Sequence, residues 1–424
     1  MIIKLQIGCL MRCIYFCFLA ALICGSAHSK TPKPIVVLLS IDGFSYEYLS
    51  KHQPSNILAL AKSGISAKLQ PVYPSKTFPN HLSIITGSYP VNHGISNNSF
   101  YSPTLDKKYY KGAGKNNSAW LTADPFWSVA KQNGLKTAVY FWPESELKGK
   151  TPTYNIPFNK KDTNRARFDQ IIKWLQLPHK QRPQFIASYF SSVDSAGHYY
   201  GPYSNELALA VEEIDLLIGE FLARLKKEVT DEVNIILVSD HGMLQKDRAK
   251  IIKPSMIFDQ QILELIKAKT IIVARNDTQL YIYFKTLDEQ VRSRTIQKIS
   301  TNKNNSNLYR LYSKGGYPKH WQFNKAVDIV PDVILEALPP ATFVKENHNI
   351  EFSDMGTHGY DALNQEDLMG LFIATGPSIH KSRKTMVFEN IHIFPFMSGI
   401  LSIKQPHSID GKREVLAPYL INNQ

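Results

Sequence analysis

The stretch Ile35-Val36-Val37-Leu38-Leu39-Ser40-Ile41-Asp42-Gly43-Phe44 decides the fold class. A strand with one wet face alternates apolar and polar residues. An unbroken apolar run that is short and β-branched is instead the mark of a strand covered on both faces, as in a parallel sheet. Four further runs read the same way: Thr137–Trp142, Gln184–Phe190, Asn234–Ser239 and Gly370–Ala374. Between and around them lie stretches of helical pattern, Ser55–Lys62, Pro79–Ile85, Asp124–Gln132, Arg165–Leu175 and the long Asn205–Lys227. This alternation predicts an α/β protein, a mostly parallel central sheet with helices on both faces. Residues 253–352 read differently. They carry polar runs such as Asn302–Asn307 and a strand-like Gln279–Phe284, and they are read as an insertion forming a small subdomain.

Several strands end in acidic or histidine-bearing turns. Ile35–Ser40 leads into Ile41-Asp42-Gly43, Gln184–Phe190 leads to Asp194-Ser195-Ala196-Gly197-His198, and Asn234–Ser239 runs into Asp240-His241-Gly242. Thr357-His358-Gly359 comes far downstream. Open α/β sheets bind their ligands at the carboxyl ends of their strands. Taken singly each motif is an ordinary turn; together they place three Asp and three His at one end of one inferred sheet. Asp194 and His198 have the reach to chelate one ion from a loop. A mixture of imidazole and carboxylate without thiolate suits a hard-to-borderline cation.

The cysteines exclude a thiolate site. All four (Cys9, Cys13, Cys17, Cys24) lie in the first 27 residues. There Lys4 and Arg12 precede an apolar run too short to span a bilayer comfortably, which ends in Gly25-Ser26-Ala27. This is the form of a cleaved secretory signal peptide, residues 1–27, with Met11 an alternative start. The remaining chain, residues 28–424, then has no cysteine and no disulfide, and the reading is an exported bacterial protein, periplasmic or secreted, without a transmembrane anchor. Of the 424 residues, 43% are hydrophobic and 20% charged, which argues against general disorder. The formal net charge is +13, of which Lys4 and Arg12 supply two. It favours anionic small molecules, but no dense basic block points to specific nucleic-acid recognition.

One more segment completes the set: Pro74-Ser75-Lys76-Thr77-Phe78-Pro79-Asn80-His81, which opens an apolar helix. Pro79 suits a first helical turn, putting Thr77 at or just before the N-cap. Such a threonine is ordinarily a cap. Beside bound dications, at a helix N-terminus that favours negative charge, its hydroxyl becomes a candidate nucleophile toward phosphorus.

With Ser40-Ile41-Asp42-Gly43-Phe44, Lys76-Thr77-Phe78-Pro79-Asn80-His81, Asn92-His93-Gly94-Ile95, Asp194-Ser195-Ala196-Gly197-His198 before Gly201-Pro202, Ser239-Asp240-His241-Gly242-Met243 and His358-Gly359-Tyr360-Asp361 all in order, the chain resembles the nucleotide pyrophosphatase/phosphodiesterase family of the alkaline phosphatase superfamily. The resemblance implies an alkaline-phosphatase-like fold and hydrolysis of phosphodiester or pyrophosphate bonds with two zinc ions. Asp42, Thr77, Asp240 and His241 match the ligands of one ion, and Asp194, His198 and His358 those of the other. Thr77 matches the nucleophile and Asn98 the residue that holds a phosphoryl oxygen. Phe78, Trp142 and Tyr154 match rings lining the substrate slot, with core packing a competing role for Trp142. Two departures bear on substrate identity: Ser99 stands where many nucleotide-cleaving members have lysine, and Glu144 where glycine is common. Choline-type lipid headgroups and non-catalytic phosphate binding are the alternatives.

Overall fold

The computed structural model describes residues 34–285, 287–301, 307–325, 327–347, 354–381 and 383–421; the expected leader lies outside them. In chain order the strands used below are β1 (Ile35–Ile41), β2 (Ile65–Gln70), β3 (Thr137–Tyr140), β4 (Tyr154–Ile156), β5 (Phe185–Phe190), β6 (Val233–Val238), β7 (Ile271–Arg275), β8 (Gln279–Phe284), β9 (Tyr309–Ser313), β10 (Val333–Ala337) and β11 (Gly370–Thr375). The helices are α1 (Ser55–Ser63), α2 (Thr77–Thr86), α3 (Phe126–Gln132), α4 (Asn164–Leu175), α5 (Ser192–Tyr200), α6 (Asn205–Glu228) and α7 (Ile393–Leu401).

The central sheet has the order β2-β11-β6-β1-β5-β3-β4, with two short segments beyond β2. Strand β1 pairs in parallel with β5, Val36 opposite Phe185, and with β6, Val36 opposite Asn234. Its side chains alternate between two cores. Val36 and Leu38 pack with Ile84 and Ile85 of α2, Phe126 of α3 and Phe394 of α7. Val37 and Leu39 pack with Ile57 of α1, Ile171 of α4 and Ile214 of α6. Both faces are dry, which is why the run shows no polar alternation. Fully burying each such side chain stabilises the fold by roughly 1.5–3 kcal/mol. The five strands expected in the sheet are all in it, with one difference. Strand β11 is antiparallel to both β6 and β2. Strand β2 escaped the sequence reading because Ile65-Ser66-Ala67-Lys68-Leu69-Gln70 is short and half polar.

Within the stretch read as an insertion, β7, β8, β10 and β9 form an antiparallel sheet in that order. One face, with Ile282 and Leu335, packs on Ile257 and Phe343. The other, with Ala274, Tyr281, Tyr283 and Ile334, joins the core that also contains α2.

Candidate active site

The carboxyl ends of β1, β5 and β6 place their acids side by side. Asp42 follows β1 directly, and Asp240 and His241 follow β6 after Ser239. His241 Nε2 stands 2.9 Å from Asp240 Oδ2 and 3.4 Å from Asp42 Oδ1. Thr77 Oγ1 lies 3.4 Å from the same nitrogen. Thr77 is the first residue of α2 rather than its cap. The N-cap is Lys76, whose side chain caps nothing, and the Thr77 hydroxyl faces His241. Gly43 allows the close approach: at φ +71°, a Cβ there would lie 2.8 Å from the Asp194 backbone. Its N–H donates to Asp240 Oδ1 at 3.3 Å.

Asp194 and His198 sit one turn apart on α5, not on a loop as expected, because the helix continues through Gly197. Gly356 lets its strand approach that helix: a Cβ on Gly356 would lie 2.2 Å from the Gly197 carbonyl. Asp194 Oδ1 is 3.4 Å from His198 Nε2 and 3.7 Å from His358 Nε2. The His358 ring stacks on His241, centroids 3.6 Å apart, so His241 borders both groups. Two sets with atoms mutually within 4.8 Å could hold a metal ion: Asp42, Asp240 and His241, and Asp194, His241 and His358.

The protons on the imidazoles are legible from their partners. His198 Nδ1 donates to the Gly356 carbonyl at 2.9 Å, His241 Nδ1 to Gly242 at 2.9 Å, and His358 Nδ1 to Ser75 at 2.8 Å. A carbonyl only accepts, so each Nδ1 carries a hydrogen and each Nε2 is the nitrogen turned inward. The Nε2 atoms of His198 and His358 are 3.1 Å apart. Asp42 Oδ1, Asp194 Oδ1 and Asp240 Oδ2 are buried and accept no hydrogen bond. Buried oxygens and imidazole nitrogens converging in this way fit cations. The electrostatics agree. Burial, then Asp194 and Asp240, push the Asp42 carboxyl well above its usual range. Burial pushes Asp240 the same way, but His241 and His81 together outweigh it and hold that carboxyl low. Burial, then His241, Lys76 and His198, keep the His358 imidazole neutral, the form that binds metal.

Supporting groups extend the site. Tyr189 Oη donates to Asp42 Oδ2 at 2.5 Å. His81 Nδ1 lies 3.2 Å from Asp240 Oδ2 and its Nε2 2.8 Å from Ser40 Oγ. His81 could have been found from sequence, since position i+4 from Thr77 on a helix shares its face. Asn98 Oδ1 accepts from the Phe78 N–H at 3.0 Å, and its Nδ2 has no hydrogen-bond partner among the described residues.

The expected three-ring slot does not form. Trp142 is completely buried, its indole N–H donating to the His81 carbonyl at 3.0 Å. Tyr154 packs on the core of the opposite sheet face and donates its hydroxyl to the Gln181 carbonyl. Phe78 remains, 7% exposed. An aromatic surface nearby comes from residues not anticipated: Phe158, 40% exposed, lies against Phe141, which meets the ring of Tyr189. The two departures are structural. Glu144 adopts φ +62°, the left-handed region that favours glycine. Its buried carboxylate accepts from Tyr109 Oη. Ser99 exchanges two backbone bonds with the Asn276 amide, at 3.1 and 3.0 Å.

Residues 36–361 match the type I phosphodiesterase/nucleotide pyrophosphatase family. An uncharacterised pyrophosphatase/phosphodiesterase of Schizosaccharomyces pombe is 33% identical over 410 residues, covering 93% of this chain and 83% of that protein. The chain belongs to this family. Among other members, ectonucleotide pyrophosphatase/phosphodiesterase family member 3 of Bos taurus is 33% identical over 89% of this chain, and the venom phosphodiesterase of Macrovipera lebetinus 32% over 90%. This chain spans only 43% and 44% of those longer members. Murine ectonucleotide pyrophosphatase/phosphodiesterase 5 superposes with a TM-score of 0.81 at 23% identity, covering 91% of this chain and 100% of that one. An inactive threonine-to-alanine form of it, solved in complex with AMP, superposes equally well, again with a TM-score of 0.81. At that identity the likeness establishes the shared fold, with its large mixed α/β sheet.

Proposed function

We propose that this chain is an exported phosphodiesterase that hydrolyses nucleotide-type phosphodiester or pyrophosphate bonds through Thr77, with two zinc ions. The observation that carries the reading is a hydroxyl at a helix N-terminus beside His241, in a cluster of three carboxylates with buried oxygens and three inward-turned imidazole nitrogens. Asp42, Asp240 and His241, with the Thr77 hydroxyl, would hold one ion, and Asp194, His198 and His358 the other. Bound there, the ions supply the positive charge that eases ionisation of the Thr77 hydroxyl and neutralises the phosphoryl oxygens.

Thr77 attacks phosphorus in line, losing its proton to solvent, and a phosphothreonine forms as the leaving group departs. The amide of Asn98 donates to a non-bridging oxygen through its free Nδ2. Water then attacks from the face that the leaving group vacated and regenerates Thr77. No arginine lies in these motifs to match a dianionic phosphate, and one neutral amide suits a singly charged diester. The AMP complex of the murine relative supports a nucleotide as the group retained on phosphorus. The leader read in the sequence supports export to the periplasm or the medium. No helix among the described residues is long and apolar enough to cross a membrane.

The test is the nucleophile. Thr77→Ala should lower kcat on p-nitrophenyl-TMP by several orders of magnitude while zinc content largely survives, and Thr77→Ser should retain measurable turnover. A chiral thiophosphate diester should be cleaved with net retention; inversion, together with a mild Thr77→Ala, would remove Thr77 from this role.

A further inference from the structure

Lys76 precedes the attacking threonine, and its side chain is 4% exposed. A buried ammonium is ordinarily matched by a carboxylate. Among the described residues, no carboxylate lies within ion-pair distance of Lys76 Nζ, and Nζ donates no hydrogen bond. Asp277, the acid that acts on it most strongly, faces Arg275 at 3.7 Å, and Lys246 and Lys111 oppose it with charge of its own sign. The stem is held in place. A Cβ on Gly359 would lie 2.2 Å from Lys76 Cε and 2.4 Å from Thr278 Oγ1, so only glycine leaves the side chain its channel beside His358. The charge of Lys76 is felt by His358 and balanced in part by Asp194, both of the second ligand group.

Thr77 Oγ1 faces His241 and the first group. An in-line displacement sends the departing oxygen to the opposite side of phosphorus, toward the second group. There, as the Thr77 oxygen–phosphorus bond forms, the bridging bond breaks and its electron pair stays on the released oxygen.

We propose that Lys76 is a leaving-group residue whose positive charge binds the group released, selecting substrates in which that group is a phosphate chain over those releasing a neutral alcohol or a cationic headgroup. The proposal rests on the reading of Thr77 as nucleophile, and its failure can be told from the failure of that reading.

Lys76→Met keeps the stem and removes the charge. The metal-loaded chain is assayed on ATP, which would release pyrophosphate, and on p-nitrophenyl-TMP, which releases a phenolate. The ratio of kcat/KM for ATP to that for p-nitrophenyl-TMP should fall about 10- to 100-fold in Lys76→Met, the loss expected for a hydrogen bond to a charged group. Pyrophosphate affinity by calorimetry should weaken to a similar extent, with AMP affinity changing much less. Lys76→Arg should keep most of the ratio, and zinc content reports whether each variant retains its site. An unchanged ratio with unchanged pyrophosphate affinity overturns the proposal, as does a wild-type chain that cleaves p-nitrophenyl-TMP but not ATP. A wild-type chain that cleaves neither overturns the phosphodiesterase reading beneath it.

Discussion

An indole N–H taken out of water needs an acceptor, and the one Trp142 finds is the carbonyl of His81. His81 in turn touches Asp240, so the ring acts on the site only through packing and this one bond. Trp142→Ala should therefore lower the melting temperature, in line with the roughly 3–5 kcal/mol that truncating a buried aromatic costs. It should reduce kcat/KM on nucleotide and small p-nitrophenyl substrates in the same proportion. A rise in KM confined to base-bearing substrates, with unchanged melting, would put the ring in the slot after all. At this scale the acids and imidazoles were legible, because Asp-Gly and Asp-His-Gly after an apolar run announce a strand-end turn. The rings were not. Trp142, Tyr154 and Phe158 are alike in sequence, and only the third dimension decides which is buried, which is tied to the far face and which is open.

Elements read as an insertion turn out to brace the site. On β8, Gln279 donates to the Gly359 carbonyl at 2.5 Å, and its Oε1 accepts from Thr278 and Asn97. Tyr281 donates to the Ser96 carbonyl. One strand of the inserted sheet thus touches both the loop of Asn98 and the loop of His358. Such contacts join residues about 80 to 185 positions apart, beyond the reach of any local pattern. On β10, Glu336 is buried, accepting from Tyr73 Oη at 2.5 Å and from the Asp361 N–H at 3.1 Å. Burial raises its carboxyl from 4.5 to about 8. Between those values the folded chain binds the proton more tightly than the unfolded chain, so stability from this group is present at low pH and is lost as pH rises through about 8. Glu336→Gln cannot ionise. Its melting temperature should decline less than that of wild type between pH 6 and 9, and parallel melting profiles would show that Glu336 does not titrate in this window.

Across the whole molecule, three carboxylates with buried oxygens crowd one spot. Without cations, Asp42 is pushed up, so its penalty grows as pH rises above the ordinary carboxylate range. Dications relieve that penalty, and ions that bind only the folded chain stabilise it, by about 2.7 kcal/mol at a hundredfold excess over Kd. Chelator should therefore lower the melting temperature and abolish activity, and zinc should restore both. The gap between chelated and zinc-loaded protein should narrow from pH 8 to pH 5.5, as protons compete for Asp42 and the imidazoles. Full activity in exhaustively chelated protein would defeat the two-metal reading.

The position of β1 has a kinetic consequence. It lies between strands that begin at residues 185 and 233, and His358 follows Asp42 by 316 positions, so no nascent fragment short of residue 358 contains the full set of candidate ligands. Contacts of such long range close slowly. A chain that crosses a membrane unfolded would assemble this pocket only on arrival, and would draw its ions from the compartment it enters rather than from the one in which it was synthesised.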